Sequence, residues 1–171
     1  MATLEVLEHS PVYRNPHSNL VSEYVAFPSI RALPDDTLLC MCRHATARES
    51  TDGVVVIHRS TDGGVSWERA GDLPEASDVA EGMRLPGGFG ITTDGETIAC
   101  VRRPWSGGEG LLVARSTNSG SSWSAPERID STPFDDLGPG GNLVTLTDGT
   151  IVAAGEWGGN PEDERPDWAA T

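Results

Sequence analysis

Short apolar runs alternate with clusters of glycine, aspartate, serine and proline along almost the whole chain. The runs at 54–57 and 111–114 are the clearest, and each leads into an Arg-Ser pair. Apolar runs of about four to eight residues bounded by turn-forming residues are typical of β-strands. The pattern therefore predicts an all-β protein made of many short strands.

One turn sequence occurs twice, at 60–67 and at 116–123, which are 56 residues apart (116 − 60). Both copies fit Ser-Thr-(Asp/Asn)-x-Gly-x-Ser-Trp. The Asp or Asn side chain can bond to nearby backbone groups, the glycine allows a positive φ, and the tryptophan offers an apolar face that pins the turn. These structural positions are Ser60, Asp62, Gly64, Trp67, Ser116, Asn118, Gly120 and Trp123.

The turns divide the chain into two complete four-stranded units and the start of a third. Predicted strands cover 25–33, 37–43, 54–59 and 67–70, then 88–92, 97–103, 111–115 and 124–129, then 143–146 and 151–156. Turn aspartates at Asp35, Asp94 and Asp148 lie 59 (94 − 35) and 54 (148 − 94) residues apart. Both intervals are close to the 56 residues that separate the two copies of the repeated turn. Four strands at such a period are typical of β-propeller blades.

The repeated turn resembles the Asp box, or BNR repeat, of sialidase-like proteins, and the resemblance covers roughly residues 20–157. It implies a six-bladed β-propeller of antiparallel four-stranded blades, of which this chain would hold about two and a half. Blade one would span about 24–71 and blade two about 88–130, with an incomplete third blade from about 142. Residues 3–14 are predicted to form a strand that completes the last blade of an intact ring, and 158–171 a mobile acidic tail.

Composition narrows the range of partners. The 171 residues carry a net charge of −14, which argues against nucleic acid and against an anionic membrane. No signal peptide or membrane-spanning run is seen, so a cytoplasmic location is the default expectation. The three cysteines (Cys40, Cys42 and Cys100) lie in apolar runs and are predicted to be buried thiols. No metal site and no cofactor is predicted, because no second paired ligand group is visible.

Candidate chemistry lies on one face of the predicted propeller. The resemblance places the Asp boxes on the opposite face, so they indicate the fold and not catalysis. The longer loops between second and third strands and between blades carry the polar candidates. Arginines that end inner strands suit the capture of a carboxylate, an acid can donate a proton, and an aromatic ring can stack on a sugar. The catalytic candidates are Asp52 and Glu49, and the substrate-binding candidates are Arg43, Arg84, Arg103 and Trp105.

Sialidases use three arginines, an acid/base Asp and a Tyr assisted by a Glu, so the resemblance implies an exo-α-sialidase-like glycoside hydrolase, present here as a fragment. Arg43 and the following acidic loop match that pattern. Ala26 stands where the first arginine is expected, and the Tyr, its Glu and the other arginines would lie in later blades. The alternatives are a noncatalytic Asp-box propeller that binds a glycan or a protein, and a purely structural module. Self-association through open propeller edges is a further expectation.

Overall fold

A computed structural model describes residues 5, 9–17, 23–48, 50–73, 85–102, 111–129, 138–139, 141–157 and 169–170. Every regular element in these segments is a β-strand, which confirms the all-β prediction. No described helix is long and apolar enough to cross a membrane.

The first blade is a four-stranded antiparallel meander. Its strands are β1 (Tyr24–Ala32), β2 (Leu38–Ala45), β3 (Val54–Ser60) and β4 (Glu68–Asp72), and they pair in chain order. Each strand lies within three residues of its predicted bounds. The turn residue Asp35 accepts a hydrogen bond from the Thr37 N–H at 3.1 Å, as expected of an aspartate in a tight turn.

The second blade repeats this arrangement. Its strands are β5 (Leu85–Ile91), β6 (Thr97–Arg102), β7 (Leu111–Ser116) and β8 (Glu127–Ile129), again paired in chain order. β5 begins three residues before its prediction. β8 is shorter than predicted. Pro126 has no N–H to donate to the ladder, although the Ser124 N–H still donates to the Arg115 carbonyl of β7 at 2.8 Å.

The third unit contains a two-stranded and a three-stranded sheet. β10 (Val144–Thr145) pairs with β11 (Ile151–Val152), and β12 (Gly155–Trp157) lies between β9 (Gly138–Pro139) and β13 (Ala169–Ala170). The predicted strands at 143–146 and 151–156 are thus present in interrupted form. The predicted tail at 158–171 is partly replaced by strand β13, while 158–168 and 171 lie outside the described residues.

The first strand of each complete blade, β1 or β5, has a shift in register against the second strand. β1 shifts register between Ala26 and Ser29, and β5 shifts between Pro86 and Gly88. Such a bulge bends a strand and increases its twist. In the first blade the bulge includes Phe27, which has a positive φ of 56°.

The amino-terminal segment differs from its prediction. Residues 9–14, the described part of the expected strand at 3–14 apart from Glu5, form no strand. Pro11 cannot donate to a sheet ladder, and the neighbouring Ser10 hydroxyl donates instead to the Gly64 carbonyl in the first repeated turn. The segment therefore contacts the first blade through side chains.

The two repeated turns have nearly the same hydrogen bonds. The Ser60 hydroxyl accepts from the Gly64 N–H at 2.9 Å, and the Ser116 hydroxyl accepts from the Gly120 N–H at 2.9 Å. The Trp67 indole N–H donates to the Gly64 carbonyl at 3.0 Å. The corresponding bond from Trp123 to Gly120 measures 3.2 Å.

The third residue of each turn, Asp62 or Asn118, forms hydrogen bonds with the seventh residue, Ser66 or Ser122. Asp62 accepts from the Ser66 N–H at 2.9 Å and from its hydroxyl at 2.5 Å. Asn118 accepts from the Ser122 N–H at 2.9 Å and donates through its amide to the Ser122 hydroxyl at 2.9 Å. Asp and Asn are therefore interchangeable in geometry here, but only Asp carries a charge.

The main core lies between the first two blades. It joins Leu39, Met41, Val55 and Ile57 of the first blade to Phe89, Ala99, Leu112 and Ala114 of the second, together with Leu33 and Leu73. A smaller cluster of Ile98, Val113 and Leu143 lies between the second blade and the third unit. Each blade thus buries its apolar face against a neighbour.

The second repeated turn packs against that core. Gly120 has φ +78°, and a Cβ there would lie 2.6 Å from the Cδ2 atom of the fully buried Leu39. Gly63 in the first turn has φ +73°, and a Cβ there would meet open space. Only Gly120 of this pair is therefore required by close packing as well as by backbone conformation.

Replacing Gly120 and Gly63 by alanine should separate these two requirements. Gly63→Ala should cost about 1–2 kcal/mol, the penalty of a left-handed conformation for an L-residue. Gly120→Ala should cost about 1–3 kcal/mol more, because its methyl group overlaps Leu39. Urea denaturation of both variants measures the difference in the free energy of unfolding. Equal losses of stability would contradict the close packing of Gly120 against Leu39.

Acid should weaken the first turn selectively. Hydrogen bonds from the Ser66 side chain lower the pKa of Asp62 from 3.8 to about 2. The carboxylate therefore contributes stability above its unfolded pKa, and that contribution is lost as the pH falls from 3.8 towards 2. The difference in Tm between wild type and Asp62→Asn should shrink over this range, while Asn118→Asp should gain the same dependence. If Tm changed with pH in the same way for wild type and Asp62→Asn, Asp62 would not be the source of the pH dependence.

Candidate functional site

Arg43 lies two residues before the end of β2, under the loop that joins β2 to β3. Its side chain is fully buried. One guanidinium nitrogen, Nη1, donates to the Ala47 carbonyl at 2.9 Å, and Nη2 donates to the Ser50 carbonyl. Gly53 packs so closely that a Cβ there would lie 2.4 Å from the guanidinium carbon. Arg43 therefore anchors the loop, and its role in substrate binding stays a prediction.

Asp52 lies on the surface of the same loop. Its carboxylate accepts from the Thr46 N–H at 3.3 Å. Hydrogen bonds from Ser50 and then Thr46 lower the pKa of Asp52. A carboxylate with a lowered pKa is ionised at neutral pH, so it suits a base more than a proton donor.

The other polar candidates cannot be placed. Glu49, Arg84, Arg103 and Trp105 lie outside the described residues. Ala26, which stands at the expected arginine position, pairs with Arg43 across β1 and β2. The structure thus brings Arg43, Ala26 and Asp52 to one end of the first blade.

A cluster of polar side chains lies on the other face of β2, and sequence reasoning missed it. Sγ of Cys42 lies 3.4 Å from Nε2 of His44, and Nε2 of His58 lies 3.4 Å from the same His44 atom. The three ligand atoms all lie within 4.8 Å of one another. All three residues are buried.

Two residues outside the sheet complete this cluster. Nδ1 of His44 lies 3.0 Å from a Glu23 carboxylate oxygen, and the Tyr13 hydroxyl donates to the other oxygen at 2.7 Å. The Tyr13 ring stands edge-on to His44, with the ring centroids 4.6 Å apart. The carboxylate is shared between a histidine and a tyrosine, and it connects the amino-terminal segment to the blade.

The surroundings shift the protonation of several cluster members. Burial lowers the pKa of His58 to about 4, so this imidazole is neutral at physiological pH. The hydrogen bond with Cys40 raises the pKa of Cys42, and burial adds to that effect. The hydrogen bond to Glu23 raises the pKa of Tyr13.

A pocket opens beside the cluster. Val12 and Tyr13 of the amino-terminal segment, Val25, Ala26 and Pro28 of β1, and Cys40 and Cys42 of β2 line it. Cys40 and Cys42 are free buried thiols, as the sequence predicted. One wall of the pocket is therefore part of the Cys–His cluster.

A signal for this cluster is present in the sequence. Cys40, Cys42 and His44 alternate along one strand and so share a face. The next strand carries His58, which pairs with Cys40 in the observed register. Cys42 and His44 can be paired with His58 from the sequence only if ligands are sought on both neighbouring predicted strands, and not along one strand alone.

Comparison with solved structures identifies the class of fold. A protein of unknown function from Dyadobacter fermentans matches with a TM-score of 0.63 and 17% identity over 94% of this chain. The Hadza microbial sialidase Hz136 matches with a TM-score of 0.64 and 18% identity over 78% of the chain. The GH93 α-L-arabinofuranosidase of Fusarium graminearum matches with a TM-score of 0.56 and 19% identity over 84%.

This chain spans 56%, 32% and 44% of the lengths of those three structures, respectively. No protein-family model and no curated protein matches it. The structural matches confirm the predicted fold, which is an all-β arrangement of antiparallel four-stranded β-propeller blades.

Removing the Arg43 side chain should loosen its loop. Arg43→Ala should cost about 2–4 kcal/mol, because two loop carbonyls lose a charged donor and the buried side chain leaves a cavity. Arg69→Ala is the control, since its ion pair with Asp72 is half exposed and such pairs are worth at most about 1 kcal/mol. Chemical denaturation measures both, and equal stability would show that Arg43 does not anchor the loop.

Proposed function

We propose that this protein is a sialidase-like glycoside hydrolase that releases terminal sugars from glycans. The observation that carries the proposal is its blade arrangement, which resembles both a sialidase and an arabinofuranosidase. The repeated turns support the same proposal, since their matching hydrogen bonds suit the Asp box suggested by the sequence.

The described residues favour an uncharged terminal sugar over sialic acid. A sialic acid carboxylate needs accessible arginines. The Arg43 guanidinium already donates to two loop carbonyls, and Ala26 offers no charge beside it. The net charge of −14 also does not attract an anionic sugar. An arabinofuranoside is a suitable first substrate because one structural neighbour acts on that class.

Among the described residues, Asp52 is our candidate for acting on such a sugar. It lies on the exposed loop after β2 and is ionised at neutral pH, because hydrogen bonds from Ser50 and Thr46 lower its pKa. In this state it can accept a proton from water or stabilise positive charge on the sugar ring. The proton donor would then be a second acid, and Glu49 on the same loop remains the candidate.

Release of a chromophore from aryl glycosides tests the proposal. The purified protein should hydrolyse an aryl α-L-arabinofuranoside faster than an aryl sialoside. Asp52→Asn should lower kcat by about 10²–10⁴-fold, the usual contribution of acid–base catalysis. Asp94→Asn is the matched control, because Asp94 is also an exposed turn aspartate with a lowered pKa but belongs to the second blade.

Other results would overturn parts of the proposal. Faster release of sialic acid would contradict the preference for an uncharged sugar. Equal rates for the two variants would remove Asp52 from the mechanism.

A noncatalytic glycan-binding propeller is the second candidate. Ala26 in place of an arginine favours it. Binding to a glycan array without hydrolysis of any bound sugar would support this candidate over the enzyme.

A further inference from the structure

The Cys–His cluster on the outer face of β2 has the composition of a transition-metal site. One thiol and two imidazoles, from Cys42, His44 and His58, converge on one face of β2 and β3. Thiolate and imidazole are ligands that Zn²⁺ prefers, and three protein ligands with one further position make a common zinc site. The described carboxylate nearest to them, Glu23, contacts the histidine and not the centre of the cluster.

The two separations from the central histidine match those around a tetrahedral ion. Zinc–nitrogen bonds of about 2.05 Å and a zinc–sulfur bond of about 2.3 Å place two nitrogens roughly 3.3 Å apart and a nitrogen and a sulfur roughly 3.6 Å apart. The observed separations from Nε2 of His44 are 3.4 Å to the His58 nitrogen and 3.4 Å to the Cys42 sulfur. Two of the three ligand pairs are therefore already spaced for one ion, and the third pair, Sγ of Cys42 and Nε2 of His58, lies within 4.8 Å.

The carboxylate of Glu23 orients the central histidine. An ionised carboxylate only accepts hydrogen bonds, so Nδ1 of His44 carries the proton and donates to Glu23 at 3.0 Å. Nε2 of His44 then presents its lone pair to the centre of the cluster. A histidine held in this way by a carboxylate is a recurring feature of zinc sites. Tyr13 in turn fixes Glu23 through its hydroxyl at 2.7 Å.

Hydrogen bonds alone leave this arrangement poorly satisfied. The single lone pair on Nε2 of His44 faces two potential donors, the Cys42 thiol and the His58 ring. The nitrogen–nitrogen separation of 3.4 Å exceeds the usual range of about 2.7–3.2 Å for such a bond. A bound cation would use the lone pairs of both imidazoles and the thiolate together.

We propose that Cys42, His44 and His58 bind one Zn²⁺ ion, with Glu23 as the positioning residue behind His44. The pocket lined by Tyr13, Cys40 and Cys42 reaches one of the three ligands and offers the ion a path to the cluster. The ion would join β2 and β3 and, through Glu23 and Tyr13, hold the amino-terminal segment against the blade. Binding exchanges the thiol proton of Cys42 for the metal and involves no redox change.

Titration of metal-free protein with Zn²⁺, monitored by competition with a chromophoric chelator, tests the proposal. Wild type should bind one equivalent. Cys42→Ser and His58→Asn should each weaken binding by more than about 100-fold, and Glu23→Gln should weaken it by about 10–100-fold, as second-layer changes do. The exposed His17→Asn is the control and should bind as wild type does. Circular dichroism establishes that each variant is folded.

X-ray absorption of the zinc-loaded wild type provides a test that does not depend on any variant. The expected shell contains two nitrogen ligands near about 2.0–2.1 Å and one sulfur near about 2.3 Å, with a fourth ligand of either oxygen or sulfur. A shell without sulfur would overturn the proposal, as would the absence of binding by wild type or unchanged binding by folded Cys42→Ser.

Discussion

The packing of one blade face against the next is the interaction on which the rest of this structure depends. Neither four-stranded sheet encloses a core by itself, because a single sheet has nowhere to bury its apolar face. Leu39, Met41 and Ile57 of the first blade are fully buried only because Phe89 and Ala99 of the second blade cover them. The glycine at position 120 follows from keeping these faces in contact, because a Cβ there would overlap Leu39.

Polar contacts fix how the units are placed around that core. Asn142, just before β10, donates to the Ile30 carbonyl at 2.7 Å and accepts from the Phe89 N–H at 3.0 Å, so one side chain joins the inner strands of both blades. On the outer side, Arg59 donates to the Ser119 carbonyl at 3.2 Å. The repeated turn therefore belongs to one blade in sequence but also serves the interface with its neighbour.

The sequence allowed the strands to be predicted closely, because periodicity and turn chemistry are local properties. The turns at 60–67 and 116–123 each contain both partners of the hydrogen bonds that close them. The state of Arg43 could not be predicted, since an arginine at a strand end looks the same whether it faces a ligand or a loop carbonyl. The Cys42–His44–His58 cluster was missed for a similar reason, because its members meet only through the pairing of β2 with β3.

Strand β2 shows how one sequence serves two purposes. Leu39, Met41 and Arg43 alternate with Cys40, Cys42 and His44, so the two sets point to opposite faces. The first set contributes to the core between the blades and to the loop anchor. The face with Cys40, Cys42 and His44 lies where an apolar face would normally meet another blade. It carries two thiols and an imidazole instead, and Tyr13 and Glu23 cover it. Polar groups in such a position lower the hydrophobic contribution to stability, and a bound metal ion offers a physical means of replacing it.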